Sequence, residues 1–335
     1  MKGLVSIITP CYNCEKYIER YFKTILEQTY KNIQLIIVND GSKDKTEEIV
    51  LFWKPIFEEK NIKLTYIYQD NRGLGGAINT GIKHIEGEYF TWCDSDNFYT
   101  SDYIETKVRF FEENPKCQVV RCDGYIVSDN DINTPLGKMS GSRKYDFCEN
   151  LFLDAIFEKK FHFGCIMIRT DAFDKVNPQR EIYESREGQN WQLVLPVLYE
   201  YDCYYIDKPM FYFVYRKDSV SNISSTKGLD SIIIQNKEYE KILITTLNNM
   251  NIKENYRNQL IYKIKVKYIR KIMIIAHQYK DKRLAKDKFE ELKKLGEFTF
   301  SDSVNIFINK YELLRFLKRC ISKIKSILTK KAGRI

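Results

Sequence analysis

The feature that most constrains the fold is a regular alternation of short apolar runs and helical patterns in the first half of the chain. The apolar runs are Leu4–Thr9, Gln34–Val38, Lys63–Tyr68 and Tyr89–Cys93. Each has the length of a strand, and residues with helical spacing fill the intervals between them. The second run is apolar almost throughout, which is typical of a strand covered on both faces. This alternation predicts an α/β domain with a parallel sheet and right-handed connections.

The second half of the chain has a different pattern. Residues 130–147 are rich in Gly, Ser, Asn and Pro and predict a loop. Strands are expected again at Gly164–Arg169 and Cys203–Ile206, with a helix at about Trp191–Tyr199 between them. Beyond these, four helices are expected, at Ile232–Asn248, Glu254–Gln278, Arg283–Leu295 and Ile308–Leu328. We therefore predict an α/β domain over residues 1–220 and a helical region over residues 221–335.

Positive charge is concentrated at the end of the chain. Between Ser303 and Ile335 there are nine Lys or Arg residues and one acid, so this segment carries +8 of the net charge of +9. An apolar stripe at three- and four-residue spacing runs through it: Leu314, Leu317, Ile321, Ile324 and Leu328. A basic amphipathic helix on a nearly neutral body predicts contact with an anionic membrane surface rather than a nucleic-acid-binding core. The alternative is that the stripe packs on the helical region or on a second copy of the chain.

Hydropathy and cysteine usage exclude other classes of protein. The mean hydropathy is −0.43 and no apolar run reaches about 18 residues, which excludes a polytopic membrane protein. The nine cysteines form no disulfide-like framework, and the Cys11-x-x-Cys14 pair lacks the second pair that a zinc site needs. The first apolar run is too short for the core of a signal peptide. We therefore expect a reducing, cytoplasmic location.

Polar segments follow all four predicted strands of the first half. They are Thr9-Pro10-Cys11-Tyr12-Asn13, Asn39-Asp40-Gly41-Ser42, Asp70-Asn71-Arg72-Gly73 and Asp94-Ser95-Asp96. Ligands of open α/β sheets bind beyond the carboxyl ends of strands, so these segments predict a ligand site. A dinucleotide fingerprint is not matched, because the glycines follow the third strand and Ile78 occupies the last glycine position; a P-loop is absent. Two carboxylates at Asp94 and Asp96 can instead meet a hard cation and a ribose.

The order and spacing of these segments are similar to those of a known family. S-I-I-T-P-C-Y-N, L-I-I-V-N-D-G-S-K-D-K-T, N-R-G-L-G-G-A-I-N-T-G-I and Y-F-T-W-C-D-S-D, within residues 1–96, resemble the family 2 glycosyltransferases, and a weaker resemblance continues to about Asn222. The resemblance implies the GT-A nucleotide-diphospho-sugar transferase fold, with a mostly parallel, Rossmann-like sheet. It also implies an inverting reaction, a nucleotide-sugar donor and Mg²⁺ or Mn²⁺.

The donor-site residues implied by the resemblance lie mainly in these motifs. They are Thr9, Pro10, Tyr12, Asp40, Gly41, Ser42, Asn71, Gly73, Asn79, Asp94, Ser95 and Arg216. Within this set, the Tyr12 ring is matched to the base and Asp40 to the uracil edge, which favours a UDP-linked donor. Asp96 is matched to the metal ligand and Asp94 to a ligand of ribose or metal. Arg216 or Lys217 is expected to fold over the diphosphate.

Two of these residues also have simpler interpretations. Asn71 can serve only to form a turn, and Asn79 can be an ordinary residue on a helix surface.

The acceptor half departs from the family pattern. Aligning on Gly188 and Trp191 places Gln189 and Asn190 where the family has two acids, the second of which is the general base. An amide cannot accept a proton from an acceptor hydroxyl at neutral pH. Either Glu187 or Glu184 does this work from a neighbouring position, or base assistance is dispensable. Glu187 is the first candidate, with Glu184 and Asp154 after it.

Four residues are candidates for contact with the acceptor: His162, Gln189, Asn190 and Trp191. His162, in an aromatic segment, can equally be a packed or capping residue.

The sequence thus predicts a metal-dependent inverting glycosyltransferase that acts in surface polysaccharide or glycolipid synthesis. Its acceptor would be a saccharide or a lipid-linked sugar at the inner face of the cell membrane, where the basic tail would keep the protein peripheral. The alternative is a non-catalytic, glycosyltransferase-like binding subunit that supports a partner enzyme, because the usual acidic pair is missing.

Overall fold

Strands and helices alternate through the first half of the structure, as the sequence predicts. The computed structural model describes residues 1–141, 143–157, 165–186, 188–216 and 228–304. The elements of the first half are β1 (Val5–Cys11), α1 (Ile18–Leu26), β2 (Ile33–Asp40), α2 (Thr46–Glu59), β3 (Lys63–Gln69), α3 (Gly73–Ile82), β4 (Tyr89–Trp92), β5 (Phe98–Tyr99) and α4 (Tyr103–Glu113). All four predicted strands agree with β1 to β4 to within two residues at each end.

The second half contains strands as well as helices. The elements are β6 (Val119–Ser128), β7 (Asp131–Lys138), β8 (Cys148–Glu149), α5 (Phe152–Phe157), β9 (Ile166–Arg169), α6 (Thr170–Val176), α7 (Gln189–Glu200), β10 (Cys203–Tyr215), α8 (Leu229–Asn249), α9 (Glu254–Gln278) and α10 (Lys282–Lys294). The prediction of a loop over residues 130–147 is wrong in part, because β7 pairs antiparallel with β6. Nearly all of β7 is exposed, so it lacks the apolar alternation by which a half-buried strand is predicted.

One mixed sheet organises the first unit. Its strand order is β3-β2-β1-β4-β9-β6-β10-β5, with β7 beside β6 and β8 beside β10. Strands β1 to β4 are mutually parallel, whereas β9 is antiparallel to both of its neighbours, β4 and β6. Two reversals restore the original direction, so β6 and its parallel neighbour β10 run the same way as β4. The carboxyl ends of β1, β2, β3, β4 and β10 therefore lie along one edge.

The core of the sheet lies around β1 and β2. Every residue of β2 is buried, which confirms the prediction of a strand covered on both faces. The apolar face of α1 supplies Tyr21 and Phe22, and Phe22 meets the Phe57 ring of α2 edge-on with centroids 5.3 Å apart. The eight cysteines in the described part of the chain are free thiols.

The described residues form two compact units. The first contains residues up to 216 together with Lys241–Arg257, and the second contains residues 228–240 and 258–304. In the second unit, Val266 and Met273 of α9 pack with Leu292 of α10. The boundary at residue 220 stays a prediction, because residues 217–227 lie outside the described residues.

None of the described helices combines the length and apolar content needed to cross a membrane. The predicted helix Ile308–Leu328, with its apolar stripe and basic residues, lies outside the described residues and stays a prediction.

Candidate active site

The shared strand direction brings the predicted donor-site segments to one edge of the sheet. Asp40 ends β2, Asn71 lies just beyond β3, Asp94 just beyond β4 and Arg216 directly after β10. In the sequence, Arg216 is more than a hundred residues away from the other three. Its place at this edge follows from the two reversals of direction at β9.

The Asp40 carboxylate holds the turn that leads into α3. Its Oδ1 accepts hydrogen bonds from Gln69 Nε2 at 2.7 Å and from the backbone N–H of Arg72 at 2.9 Å, and its Oδ2 accepts one from the N–H of Gly73 at 2.9 Å. A carboxylate has about four acceptor positions, so these three bonds leave one position open on a residue that is only 3% exposed. Asn71 Nδ2 donates to the Asp40 carbonyl at 3.0 Å, which agrees with a turn-forming role for Asn71.

The Gly41–Ser42 turn lies against this loop and needs glycine. Gly41 has φ +73°, and a Cβ at this position would lie 2.9 Å from the Asn71 backbone nitrogen. Ser42 Oγ accepts a hydrogen bond from the Asn13 N–H at 3.0 Å, which ties the turn to the segment after β1.

The three residues predicted to lie against the base differ in exposure. The Tyr12 side chain is 54% exposed, so its ring is available for stacking. Thr9 and Pro10 are buried, and the Thr9 hydroxyl is hydrogen-bonded to Tyr21 Oη at 2.6 Å. Thr9 thus shapes the end of β1 from within the core, whereas Tyr12 presents a surface to a ligand.

Asp94 and Asp96 form a sheltered pair of acids. Burial and, to a lesser extent, the negative charge of Asp96 together raise the pKa of Asp94 to about 7, against the attraction of Arg216. Burial also raises the pKa of Asp96, against the attraction of Arg216. Ser95, between them, is buried, and the Asn97 N–H donates to the Asp94 carbonyl at 3.0 Å, which closes the turn that carries the two acids.

This pair suits a hard divalent cation. Carboxylate oxygens are the ligands that Mg²⁺ and Mn²⁺ prefer, and the sheltered negative charge here would be relieved by a cation. Within the described residues, no group of three or more His, Cys, Asp and Glu side chains could hold a metal ion. Asp94 and Asp96 would therefore share the ion with oxygens from outside the protein, as Mg²⁺ usually does with substrate phosphates.

The glycines of α3 allow the segment before α7 to pack directly on the helix. The Gly75 N–H donates to the Ser185 carbonyl oxygen at 2.8 Å, and a Cβ on Gly75 would lie 2.6 Å from that oxygen. A Cβ on Gly73 would lie 2.9 Å from the Arg186 Cα. Asn79, which is buried, accepts from the Ile182 N–H at 2.9 Å, so its interpretation as a helix-surface residue is wrong. The predicted donor loop and the predicted acceptor segment are therefore packed directly against each other.

We expect Gly75→Ala to lower both the stability of the protein and its affinity for the donor. The added methyl group would push Ser185 away from α3, and overpacking of this kind costs about 1–3 kcal/mol. Thermal unfolding and nucleotide titration measure the two effects. Gly137→Ala is the matched control, because nothing lies within 4 Å of a Cβ at Gly137. Equal unfolding temperatures for the two variants would contradict the tight contact.

The candidate base residues receive unequal support. Glu184 is engaged by Arg72, whose Nε lies 3.0 Å from Oε2 and whose Nη2 contacts Oε1, and by Asn79 Nδ2 at 3.3 Å. This engagement suits a residue that positions the α3 loop better than one that takes up a proton. Asp154 lies in the first turn of α5. Glu187, His162 and Lys217 lie outside the described residues, so their predicted roles stay predictions.

The amides that replace the acidic pair begin α7. Asn190 Oδ1 accepts a hydrogen bond from Trp92 Nε1 at 2.7 Å, which places Asn190 beside the end of β4, two residues before Asp94. Gln189 is buried, and Trp191 is buried with its Nε1 donating to the Ala155 carbonyl at 3.1 Å. Of these three acceptor candidates, Asn190 thus has the most direct connection to the site.

Three residues of the site were not predicted from the sequence: Tyr17, Arg20 and Arg72. Arg20 Nη2 donates to the Asp96 carbonyl at 2.8 Å, and the Arg216 guanidinium lies over the Tyr17 ring, 4.2 Å from its centroid. Arg72 is the third, through its ion pair with Glu184. The signal for Tyr17 and Arg20 is weak, because their three-residue spacing on a helical pattern is common to many surface pairs.

Comparison with known proteins decides the family. The model of glycosyl transferase family 2 matches residues 6–176, which is just over half of the chain. The chain belongs to this family. An uncharacterized glycosyltransferase of Rickettsia typhi is 42% identical over 126 residues, which make up 38% of this chain and 37% of the relative. Glycosyltransferase GlyA of Streptococcus pneumoniae is 42% identical over 102 residues, 30% of this chain and 14% of GlyA. The chain thus matches well under half the length of these relatives.

Solved structures confirm the predicted GT-A fold of this family 2 glycosyltransferase. TarS 1-349 of S. aureus, in complex with UDP-GlcNAc, aligns with a TM-score of 0.60 and 15% identity over 91% of this chain and 90% of TarS 1-349. The mannosyltransferase PcManGT of Pyrobaculum calidifontis, in complex with GDP-Man and Mn²⁺, aligns with a TM-score of 0.52 and 15% identity over 93% of this chain and 82% of PcManGT. At this identity the likeness concerns the fold alone.

Proposed function

We propose that this family 2 glycosyltransferase transfers a sugar from a UDP-linked donor to a saccharide or lipid-linked acceptor, with inversion at the anomeric carbon. One observation carries the proposal: Asp94 and Asp96 lie at the same sheet edge as the Asp40-held loop and the cation of Arg216. This is the arrangement that a nucleoside diphosphate with a bound cation requires. The complex of TarS 1-349 with UDP-GlcNAc supports a uridine donor by analogy of fold.

The metal would be Mg²⁺ or Mn²⁺, held by Asp96 and Asp94. When bound, it would neutralise negative charge on the departing nucleoside diphosphate. Arg216, beside the two acids, would add positive charge on the same side. The backbone of the loop before α3, held by Asp40, would orient the donor.

The chemical step needs a proton acceptor on the other side of the sugar. Glu187 would take the proton from an acceptor hydroxyl, whose oxygen then attacks the anomeric carbon from the face opposite the diphosphate. Asn190 cannot do this, because an amide is not a base at neutral pH. Its hydrogen bond with Trp92 suits a residue that shapes the acceptor side.

Membrane contact forms part of the same proposal. A lipid-linked acceptor would be met at the inner face of the cell membrane, and the nine basic residues between Ser303 and Ile335 would favour a peripheral position there.

A screen of nucleotide-sugars tests the donor. We expect UDP-linked sugars with Mn²⁺ to raise the unfolding temperature of the full chain and to be hydrolysed slowly, whereas GDP-mannose should do neither. Ligand at a hundred times its Kd stabilises a protein by about 2.7 kcal/mol, which corresponds to a shift of several degrees. Protection by GDP-mannose but not by UDP-linked sugars would contradict the uridine assignment.

The same screen distinguishes the enzyme from the alternative, a binding subunit. The observation that favours a binding subunit is Asn190, an amide in the place of the usual base. Such a subunit would be protected by UDP-sugars without releasing UDP from any of them, even with acceptor present.

A further inference from the structure

Arg216 and Asp96 form a sheltered ion pair. Arg216 Nη2 lies 2.8 Å from Asp96 Oδ2, and the two side chains are only 17% and 18% exposed. By comparison, the Arg72–Glu184 pair of the same site is 45% and 38% exposed. Hydrogen bonds between opposite charges are shorter and stronger than neutral ones, and shelter from water reduces their screening. Asp96 therefore already has a cationic partner before any metal arrives.

An aromatic ring holds the Arg216 guanidinium in this place. Its Cζ lies 4.2 Å from the centroid of Tyr17, which is cation–π geometry. The nearby Arg20 is engaged differently, because it donates to the Asp96 backbone carbonyl and lies 3.6 Å from an Asp129 carboxylate oxygen. Arg216 is thus the arginine of this cluster that neutralises the Asp96 side chain.

We propose that Arg216 is a resident counter-ion that competes with the divalent cation for Asp96 until a diphosphate draws the guanidinium away. This inference rests on the proposed function, since it takes Asp96 as a metal ligand. Tyr17 is then a positioning residue, because its ring holds the Arg216 guanidinium. The diphosphate offers the guanidinium bidentate phosphate contacts in place of the carboxylate.

The consequence is that metal and nucleotide favour each other's binding. Without nucleotide, a cation that reaches Asp96 must displace Arg216, and this competition weakens its binding. With nucleotide bound, the guanidinium is already engaged elsewhere and the competition is removed. By thermodynamic linkage, UDP strengthens Mn²⁺ binding by the same factor by which Mn²⁺ strengthens UDP binding. Arg216 would supply part of this factor.

The test is Mn²⁺ binding to the full chain in the absence of any sugar, measured by calorimetry or by the spin-resonance signal of free Mn²⁺. We expect Arg216→Met to bind Mn²⁺ about tenfold more tightly than the wild type, the size expected for the loss of one charge-assisted hydrogen bond. In the presence of UDP, the enhancement of Mn²⁺ binding should fall by a similar factor. Arg216→Lys, which keeps the charge but not the planar group, should lie between the two.

Matched controls separate this local effect from net charge and from unfolding. Arg109→Met removes the same charge from an arginine that is 63% exposed on α4, and it should leave Mn²⁺ affinity unchanged. Tyr17→Leu removes the ring and should also tighten Mn²⁺ binding, whereas Tyr17→Phe keeps the ring and should not. Tyr17→Leu also provides a second route to the result should Arg216→Met fail to fold.

Two negative results can be distinguished in this experiment. In the first, the wild type binds Mn²⁺, and Arg216→Met and Tyr17→Leu bind it equally well or less well. This result would overturn the role of Arg216 and leave the proposed metal site intact. If neither the wild type nor Arg216→Met binds Mn²⁺, with or without UDP, the metal site itself is overturned and the counter-ion role with it.

Discussion

Replacing Asp96 with alanine is expected to lower sugar transfer by about a thousandfold or more and to abolish the Mn²⁺ dependence of UDP binding. The reason is that the carboxylate would be the main protein ligand of the cation that neutralises the leaving diphosphate. Loss of such a ligand removes several kcal/mol of transition-state stabilisation, and about 4 kcal/mol corresponds to a thousandfold in rate. Steady-state turnover and UDP titration with and without Mn²⁺ measure the two effects.

Two further variants make the Asp96 result specific. Asp96→Asn keeps the size of the side chain and removes only the charge, so it should behave like the alanine variant. Asp171→Ala removes an exposed aspartate on α6, which follows β9 at the end of β4 opposite Asp94, and should keep wild-type turnover. Both Asp96 variants should retain a cooperative unfolding transition, because burial already opposes the charged form of this side chain. Near-native turnover in Asp96→Asn would contradict the assignment of the metal ligand.

Glu187→Gln is expected to lower kcat by roughly two to four powers of ten while leaving the affinity for the donor nearly unchanged. The amide is close in size to the carboxylate but cannot accept the proton of the acceptor hydroxyl. Glu184→Gln is the matched control, since it makes the same change three residues earlier in the same segment. Because Glu184 binds Arg72 and Asn79, its loss should weaken donor binding more than it lowers kcat.

Other results for the two glutamate variants would change the assignment of the general base. An unchanged kcat in Glu187→Gln would transfer the role of base to Asp154, or support the binding-subunit function if Asp154→Asn were also without effect. A loss of kcat in Glu184→Gln alone would instead mean that Glu184 leaves Arg72 during catalysis.

Much of the fold could be predicted because its first half follows the local rules of sequence patterning. β2 is apolar and buried on both faces, and it was predicted to within two residues. β7 was missed because nearly all of it is exposed, so no period-two signal exists. The reversal at β9 was also invisible, since a four-residue buried strand reads the same in either direction.

The residues of the site also include some that local sequence could predict and some pairings that it could not. The location of Asp40, Asp94 and Asp96 at one edge of the sheet could be predicted from local context, because each lies at the end of a strand or within a few residues beyond it. The pairings of Arg216 with Asp96 and of Arg72 with Glu184 could not be predicted, since each joins residues more than a hundred positions apart. Such contacts depend on strand order and direction, which no local pattern specifies.

The close packing of Ser185 on Gly75 limits how this chain can be recombined with its relatives. A chimera that takes residues 183–190 from another glycosyltransferase, in order to change its acceptor, would also have to fit a helix start with glycines at 73 and 75. A graft with a different backbone path would displace the loop that Asp40 holds, so a change made for the acceptor would disturb the donor as well. Exchanging the α3 loop and the segment before α7 together would preserve the contact.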